Sequence, residues 1–486
     1  MAAVNISLSQ NAANTIAQLM ATPDSDTVAD DVQLFFGAAL GFASIHGANN
    51  TATHNGSDLV LSYADGNVST VNNPVVGADG KAVASGFTYS APGTFDLHMG
   101  GSFSYNYNLL GGALSLLNSD ANLTDATFKT TYASSDSHYD PTLGNATIGI
   151  QGNVHSAASG DFSGVINTIT GKADKFLTAM DATGTLNVSG NGLKVGLLQA
   201  SPTVSGTLNG YHEHYDDGSS IAIDNANIPV TGSTAVDLNL ALNSANFAGD
   251  DVFTVTLPAN LSTPWAINSG DGNDKIIING GNKLLSANGG NGNDTIVLNS
   301  HGHNIDGGAG IDTVQLSEAR SAVIITPTAN GYQLTTSGGV DQLTNVERLQ
   351  FSDGSLALDI NGNAGQAYRI YQAAFNRSPD QTGLSYWIGT LDHGASLKAV
   401  ADAFSKSAEF ATLYGSNPTN ATLVNSFYQN VLHRAGDAAG VSYWLDKLDT
   451  HSANVADVLM SFSESAENQA ALAHVIGGGI SYVPWG

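Results

Sequence analysis

With 486 residues, the chain is too long for one ordinary domain and predicts two to four units. Lys and Arg total 15 against 42 Asp and Glu, a net charge of -27, and no arginine precedes Arg320, so there is no basic face for a nucleic acid or an anionic membrane. Cysteine is absent, which excludes thiol catalysis, iron–sulfur ligation and disulfide stapling.

The opening residues carry neither a basic n-region nor an apolar h-region, so no cleaved secretory leader is expected. No apolar run approaches the roughly 20 residues that span a bilayer, so no transmembrane segment is expected. The chain then either stays in the cytoplasm or leaves by a route that ignores its N-terminus.

Residues 1–245 are low in charge, rich in Ser, Thr, Asn and Gly, and predict a β-rich domain with a few helices, suited to assembly or recognition. Apolar residues at helical spacing predict helices over 9–20, over 31–45 and over 161–180, the last from Val165, Ile166, Ile169, Phe176 and Leu177. Period-two alternation predicts strands at 58–63, 147–151, 185–189 and 235–242, with Gly, Asn and Asp at the turns.

Residues 246–360 hold three superposable segments. They are Ser269-Gly-Asp271-Gly-Asn273-Asp274-Lys-Ile276, Gly289-Gly-Asn291-Gly-Asn293-Asp294-Thr-Ile296 and Gly307-Gly-Ala309-Gly-Ile311-Asp312-Thr-Val314. Each fits the nonapeptide whose glycines permit a tight turn and whose sixth-position Asp adds a carboxylate to inward carbonyl oxygens. The starts are 20 and then 18 residues apart (289 − 269, 307 − 289), and two nonapeptides make one coil of a parallel β-roll. Ile276, Ile296 and Val314 are expected to stack in one column, with Leu284 and Ile305 filling the opposite strands. Calcium takes six to eight oxygens, so each ion must sit between successive loops. Asp274 with Asp294, and Asp294 with Asp312, are the expected carboxylate pairs. Positions 269, 271, 273, 289, 291, 293, 307, 309 and 311 are expected to contribute carbonyls.

This array resembles the calcium-binding repeats of RTX (haemolysin-type) bacterial exoproteins. The resemblance implies export by a type I secretion apparatus without an N-terminal signal, and folding on meeting extracellular calcium. Upstream, Gly249-Asp-Asp251 reads as a decayed half-repeat and cap, with Asp251 as a ligand only if the cap binds metal. Downstream, 341–358 reads as strands closing the roll.

Residues 361–486 predict an all-α domain built twice. Arg377, Asp380, Gly383, Tyr386 and Trp387 recur 57 residues later as Arg434, Asp437, Gly440, Tyr443 and Trp444. The expectation is that Arg braces the turn on Asp, Gly ends a helix, and the aromatics are core. This tail resembles a helical domain of unknown function found in RTX-type exoproteins and some S-layer proteins, which implies attachment or assembly. The apolar end, 477–486, is the candidate export signal.

No catalytic constellation emerges. H-E-x-x-H and G-x-S-x-G are both absent. His212-Glu-His214 lacks a third metal ligand, and His301-Gly-His303 reads as a turn on the rim of the roll. Tyr89 with His98 is a remote haem-binding option. The sequence therefore predicts a mainly β protein with an α-helical tail, non-enzymatic and secreted, that binds calcium and assembles with itself. Cell-envelope glycan is an additional expected partner. The rival expectations are an adhesin or module binding glycan or haem, and a secreted hydrolase or carbohydrate-active enzyme.

Overall fold

The computed structural model describes residues 3–10, 12–13, 50–63, 66–77, 81–93, 95–106, 115–136, 144–157, 161–190, 193–194, 197–198, 203–231, 247–261 and 264–484. The chain divides into two compact units, Met1–Gly290 and Asn291–Gly486.

In the first unit, β1 is Ala3–Ser7, and a short group follows: β2 (Asn50–Asn55), β3 (Asp58–Tyr63), β4 (Val68–Asn72) and β5 (Val75–Val76). Long strands come next: β6 (Lys81–Ala91), β7 (Phe95–Asn106), β8 (Ser115–Thr130), β9 (Ala146–Ser156), β10 (Phe162–Ala173) and β11 (Leu177–Gly190). After the small hairpin of β12 (Leu193–Lys194) and β13 (Leu197–Leu198) come β14 (Thr203–Tyr215) and β15 (Ser220–Thr231). Then follow β16 (Val252–Thr256), β17 (Trp265–Asn268), β18 (Lys275–Ile278) and β19 (Leu285–Asn291). Apart from β5 and the small hairpin, β2 to β15 form an antiparallel meander, each strand beside the next.

The N-terminal strand joins this meander to the parallel coil. β1 runs antiparallel to β15 and parallel to β16, placing Val4 between Ile223 and Phe253, and Ile6 between Ile221 and Val255. All six side chains are buried, so one apolar column continues from meander to coil. Ala3-Val-Asn-Ile-Ser alternates apolar and polar as a half-buried strand requires.

The helix expected over 161–180 is two strands, β10 and β11. Its spacing comes from a β-bulge: Phe162 and Ile166 face inward, the register shifts between Ile166 and Thr168, and Ile169 faces inward next. A bulge inserts one residue and turns a period of two into a step of three, which mimics a helical stripe. The run Val165-Ile-Asn-Thr-Ile-Thr is rich in β-branched residues, which favour a pleated surface. Of the helix expected over 9–20, residues 10, 12 and 13 are described and helical; the segments at 31–45 and 235–242 lie outside the described residues.

Parallel strands alternate between two sheets in each unit, as a coil requires. In the first unit β16 pairs with β18, and β17 with β19. In the second, β20 (Thr295–Leu298) pairs with β22 (Thr313–Leu316) and β22 with β26 (Arg348–Phe351), while β21 (Asn304–Ala309) pairs with β25 (Val340–Thr344). Between β22 and β25 the coil is widened by the hairpin of β23 (Ile324–Thr328) and β24 (Gly331–Thr335). Phe253 stacks on Ile276 in the first unit, and Ile296, Val314 and Leu349 stack in the second; all are buried. On the opposite strands the inward residue is Leu285, facing Trp265, rather than Leu284: the turn at Asn282–Leu284 delays the strand by one residue, and a one-residue slip swaps faces.

The tail has eight helices: α1 (Asn363–Phe375), α2 (Gln381–Asp392), α3 (Leu397–Ser405), α4 (Ala408–Tyr414), α5 (Asn420–Leu432), α6 (Ala438–Asp449), α7 (Val455–Ser463) and α8 (Ala466–Ile476). From α2 onward each helix opens on a Ser, Thr, Asp or Asn side chain that accepts a first-turn backbone N–H. The chain then returns as β28 (Ile480–Tyr482), antiparallel to β27 (Gly354–Ala357), with Ile480 and Tyr482 buried.

Candidate metal centre

Glycines at positions two and four of the repeats take the same conformations: Gly270 and Gly272 have φ of 98° and 138°, Gly290 and Gly292 of 99° and 129°, Gly308 and Gly310 of 102° and 142°. These are left-handed values that side chains oppose. Space forbids a side chain too, since a Cβ on Gly310 would lie 1.9 Å from the Gly292 carbonyl oxygen and one on Gly272 2.2 Å from that of Gly249. The first-position residues take no positive φ, so conformational freedom is required at the second and fourth positions only.

In the second unit the Asp294 N–H donates to Asp312 Oδ1 at 2.8 Å, and Thr313 N–H donates back to the Asp294 carbonyl at 2.8 Å. The first unit shows the same pattern between its own two loops. Asp251 N–H donates to Asp274 Oδ1 at 2.8 Å, and Lys275 N–H to the Asp251 carbonyl at 2.8 Å. The half-repeat at 249–251 is thus a full member of the ladder, with Gly249 at φ 106° and Asp251 buried. Asp251, Asp274, Asp294 and Asp312 are all buried. Asp271, Asn273, Asn291, Asn293 and Ala309 are exposed, and the Asp271 and Ala309 carbonyls accept from the N–H groups of Gly249 at 2.5 Å and Gly292 at 2.8 Å. Fifth-position side chains brace the next loop: Asp250 Oδ1 accepts from Asn273 N–H and Asn293 Oδ1 from Ile311 N–H, each at 2.8 Å. Ser269, fully buried, donates its hydroxyl to the Gly289 carbonyl at 2.6 Å.

Asp312 carries the sharpest electrostatic signal. It is fully buried, and its Oδ2 has no hydrogen-bond partner. Burial pushes its carboxyl up to about 7 against the Asp294 backbone hydrogen bond, and the charges of Asp294, Glu347 and Asp306 push the same way. An orphaned buried carboxylate oxygen costs about 1–3 kcal/mol or more. A hard cation would relieve both the desolvation and the repulsion. Among the described residues no group of three or more His, Asp or Glu side chains forms a metal set. These loops offer one buried carboxylate per coil.

The histidine pairs do other work. His212 faces one side of the sheet and bonds Asp181 at 2.9 Å and Asp224 at 3.0 Å; Tyr211 and Tyr215 donate to Glu213 among the odd-numbered residues of that strand. Strand alternation therefore separates Glu213 from the two histidines. Tyr89 pairs with Leu97 and His98 with Thr88, so Tyr89 and His98 lie on opposite faces and do not share a ligand. His301 and His303, expected on an exposed rim, are both held inside the turn. The His301 ring is bracketed by Asp341 at 2.7 Å and Glu318 at 2.9 Å, while Gly302 and His303 N–H groups donate to the other Asp341 oxygen. A Cβ on Gly338 would come within 2.9 Å of the ring, so glycine lets the hairpin close on it.

Burial opposes charge on His301, but the hydrogen bonds and charges of Asp341 and Glu318 outweigh it and raise its affinity for a proton. A raised histidine stabilises the fold below its unfolded value and loses that contribution as pH rises through the folded one. Wild type is therefore expected to lose more stability than His301→Gln between pH 6 and pH 9 in denaturant titrations. Parallel pH profiles would reject this assignment.

In the tail, Arg377 Nε donates to Glu409 at 2.8 Å and Arg434 Nε to Glu467 at 2.7 Å, with each guanidinium over a tyrosine, Tyr371 at 5.0 Å and Tyr428 at 5.1 Å. Asp380 and Asp437 lie farther, at 3.6 and 3.9 Å, because each caps a helix instead. Gly383 and Gly440 sit inside first turns rather than ending helices; a Cβ on Gly440 would lie 2.2 Å from the Tyr428 hydroxyl oxygen, and one on Gly383 3.1 Å from the Tyr371 ring and hydroxyl. Trp387 and Trp444 pack on the core, whereas Tyr386 and Tyr443 are 42% and 54% exposed.

The sequence pattern of a domain of unknown function, DUF4214, matches the chain twice, over residues 363–413 and 401–472. The duplicated helical tail is similar to that family. No curated protein and no solved structure matches the chain.

Proposed function

We propose that this chain is a non-enzymatic, calcium-dependent extracellular surface or matrix protein of the RTX type, which leaves the cell by type I secretion and assembles with copies of itself. The observation that carries the reading is the ladder of buried aspartates in glycine loops of matching conformation, ending on the orphaned Asp312 Oδ2. Asp251, Asp274, Asp294 and Asp312 would hold the ions with the carbonyls of 269, 271, 273, 289, 291, 293, 307, 309 and 311. Calcium would supply charge neutralisation and crosslinks between coils, not chemistry.

Assembly draws support from the exposed apolar pair of Val75 and Val83, opposed across β5 and β6. The two outward tyrosines of the tail suit contact with a neighbouring subunit or an envelope glycan. Residues 477–486 would be read by the exporter before folding ties Ile480 and Tyr482 into the sheet.

Purified chain is expected to be small in chelator and to form regular polymers in calcium, seen by light scattering and electron micrographs. A calcium-loaded chain that stays monomeric at every concentration would reject self-assembly.

A further inference from the structure

The segment Asn345-Val-Glu347 lies outside the glycine–aspartate repeats and has neither their glycine nor their aspartate. The register nevertheless places it as another loop of the same edge. Thr313 pairs with Arg348 and Val314 with Leu349, as Thr295 pairs with Thr313 and Ile296 with Val314. Glu347 thereby takes the place of Asp312 one coil on, and Asn345 the place of Gly310. The hydrogen bonds agree. Asp312 N–H donates to Glu347 Oε2 at 3.0 Å, as Asp294 N–H donates to Asp312 Oδ1. Arg348 N–H donates to the Asp312 carbonyl at 2.9 Å, as Thr313 N–H does to that of Asp294. Asn345 supplies the left-handed residue, at φ 49°, a conformation asparagine tolerates.

We infer that Asp312, Asn345 and Glu347 form a divalent-cation site at the closing turn of the roll, beyond the sites of the repeats. Asp312 Oδ2 is buried and accepts no hydrogen bond. A Cβ built on Gly307 would lie 2.7 Å from that oxygen and 2.0 Å from the Asn345 carbonyl oxygen, so both oxygens border one space that glycine keeps clear. Asp306 accepts from the Asn345 side-chain amide at 2.9 Å and positions that turn. Two carboxylates, a main-chain carbonyl and water suit calcium, which takes oxygens at about 2.3–2.6 Å in flexible geometry. Glutamate's extra methylene reaches from a turn that asparagine, rather than glycine, opens.

The inference rests on the calcium reading of the roll, and its test separates the two. Calcium chloride is titrated calorimetrically into chelator-treated full-length chain, wild type and Glu347→Gln. The variant is expected to bind one ion fewer while keeping the repeat sites. Unchanged stoichiometry overturns this site alone, whereas a wild type that binds no calcium overturns the roll's reading with it. Should Glu347→Gln not fold, crystals of calcium-loaded wild type decide: an ion joining Asp312 and the Asn345 carbonyl is expected, and ions at the repeats only overturn the proposal.

Discussion

Calcium added to chelator-treated chain is expected to raise the thermal unfolding midpoint by about 6–20 °C. Extracellular calcium modules bind at roughly 10⁻⁴–10⁻³ M, so 10 mM free ion is about 10–100 times the dissociation constant. Mass action then stabilises the folded state by about 1.4–2.7 kcal/mol per site, or about 3–5 kcal/mol for two sites. At roughly 2–4 °C per kcal/mol for a unit of 150–250 residues, the shift is large enough for a simple melt. Magnesium is expected to do far less, because it holds its waters and demands octahedral geometry. Asp312→Asn should remove most of the shift, since it takes a carboxylate shared by the last repeat and the closing turn. Coincident melts with and without calcium would dispose of the metal-bound roll.

The repeats were legible because their chemistry is local. Glycine at two fixed offsets dictates the turn, aspartate two residues later supplies the carboxylate, and the next apolar residue starts the strand, so spacing alone placed Ile276, Ile296 and Val314 in the interior. Asp251 was readable as a half-repeat but not as a ladder member, because its rank depends on the partner at Asp274, 23 residues away. Glu347 was invisible for a related reason: with asparagine for glycine and glutamate for aspartate, only strand register reveals the equivalence. The helix expected over 161–180 failed because a bulge at Ile166 forged a three-residue step. The role of β1 was legible in Val4 and Ile6, but a five-residue alternation at a chain end carries little weight until β15 and β16 close around it. In the tail, sequence duplication singled out Arg377 and Arg434. Their stronger partners, Glu409 and Glu467, lie 32 and 33 residues on, whereas the aspartates three residues away cap helices instead.

Replacing Arg348 by Leu is expected to cost about 3–5 kcal/mol, the usual penalty for stranding a buried charge by removing its partner. Arg348 is 2% exposed. Its Nη1 pairs with Asp359, its Nη2 donates to both oxygens of Asp392 at 2.9 Å, and its guanidinium lies 5.9 Å from the Tyr482 ring. One side chain thus binds strand β26, the approach to α1, the end of α2 and the returning strand β28, which makes it the clamp between the closing turn and the helical tail. Burial holds the Asp359 carboxyl above its usual range despite the attraction of Arg348, so without the arginine it is left desolvated with the Ala364 N–H as its remaining helix donor. Arg348→Lys should recover only part of the loss, because a point-like ammonium does not reproduce a fork held by two carboxylates. Arg348→Leu combined with Asp359→Asn should be less destabilised than Arg348→Leu alone, since the second change removes the stranded charge. Equilibrium denaturation of the three variants, read by far-UV dichroism for the helices and tryptophan fluorescence for Trp387 and Trp444, provides the measurement. A loss below about 1 kcal/mol for Arg348→Leu, within the range of a surface ion pair, would mean that the tail stands without this clamp. A full loss carries a functional consequence: Arg348 immediately follows Glu347, so loosening the tail would also weaken calcium binding at the closing turn.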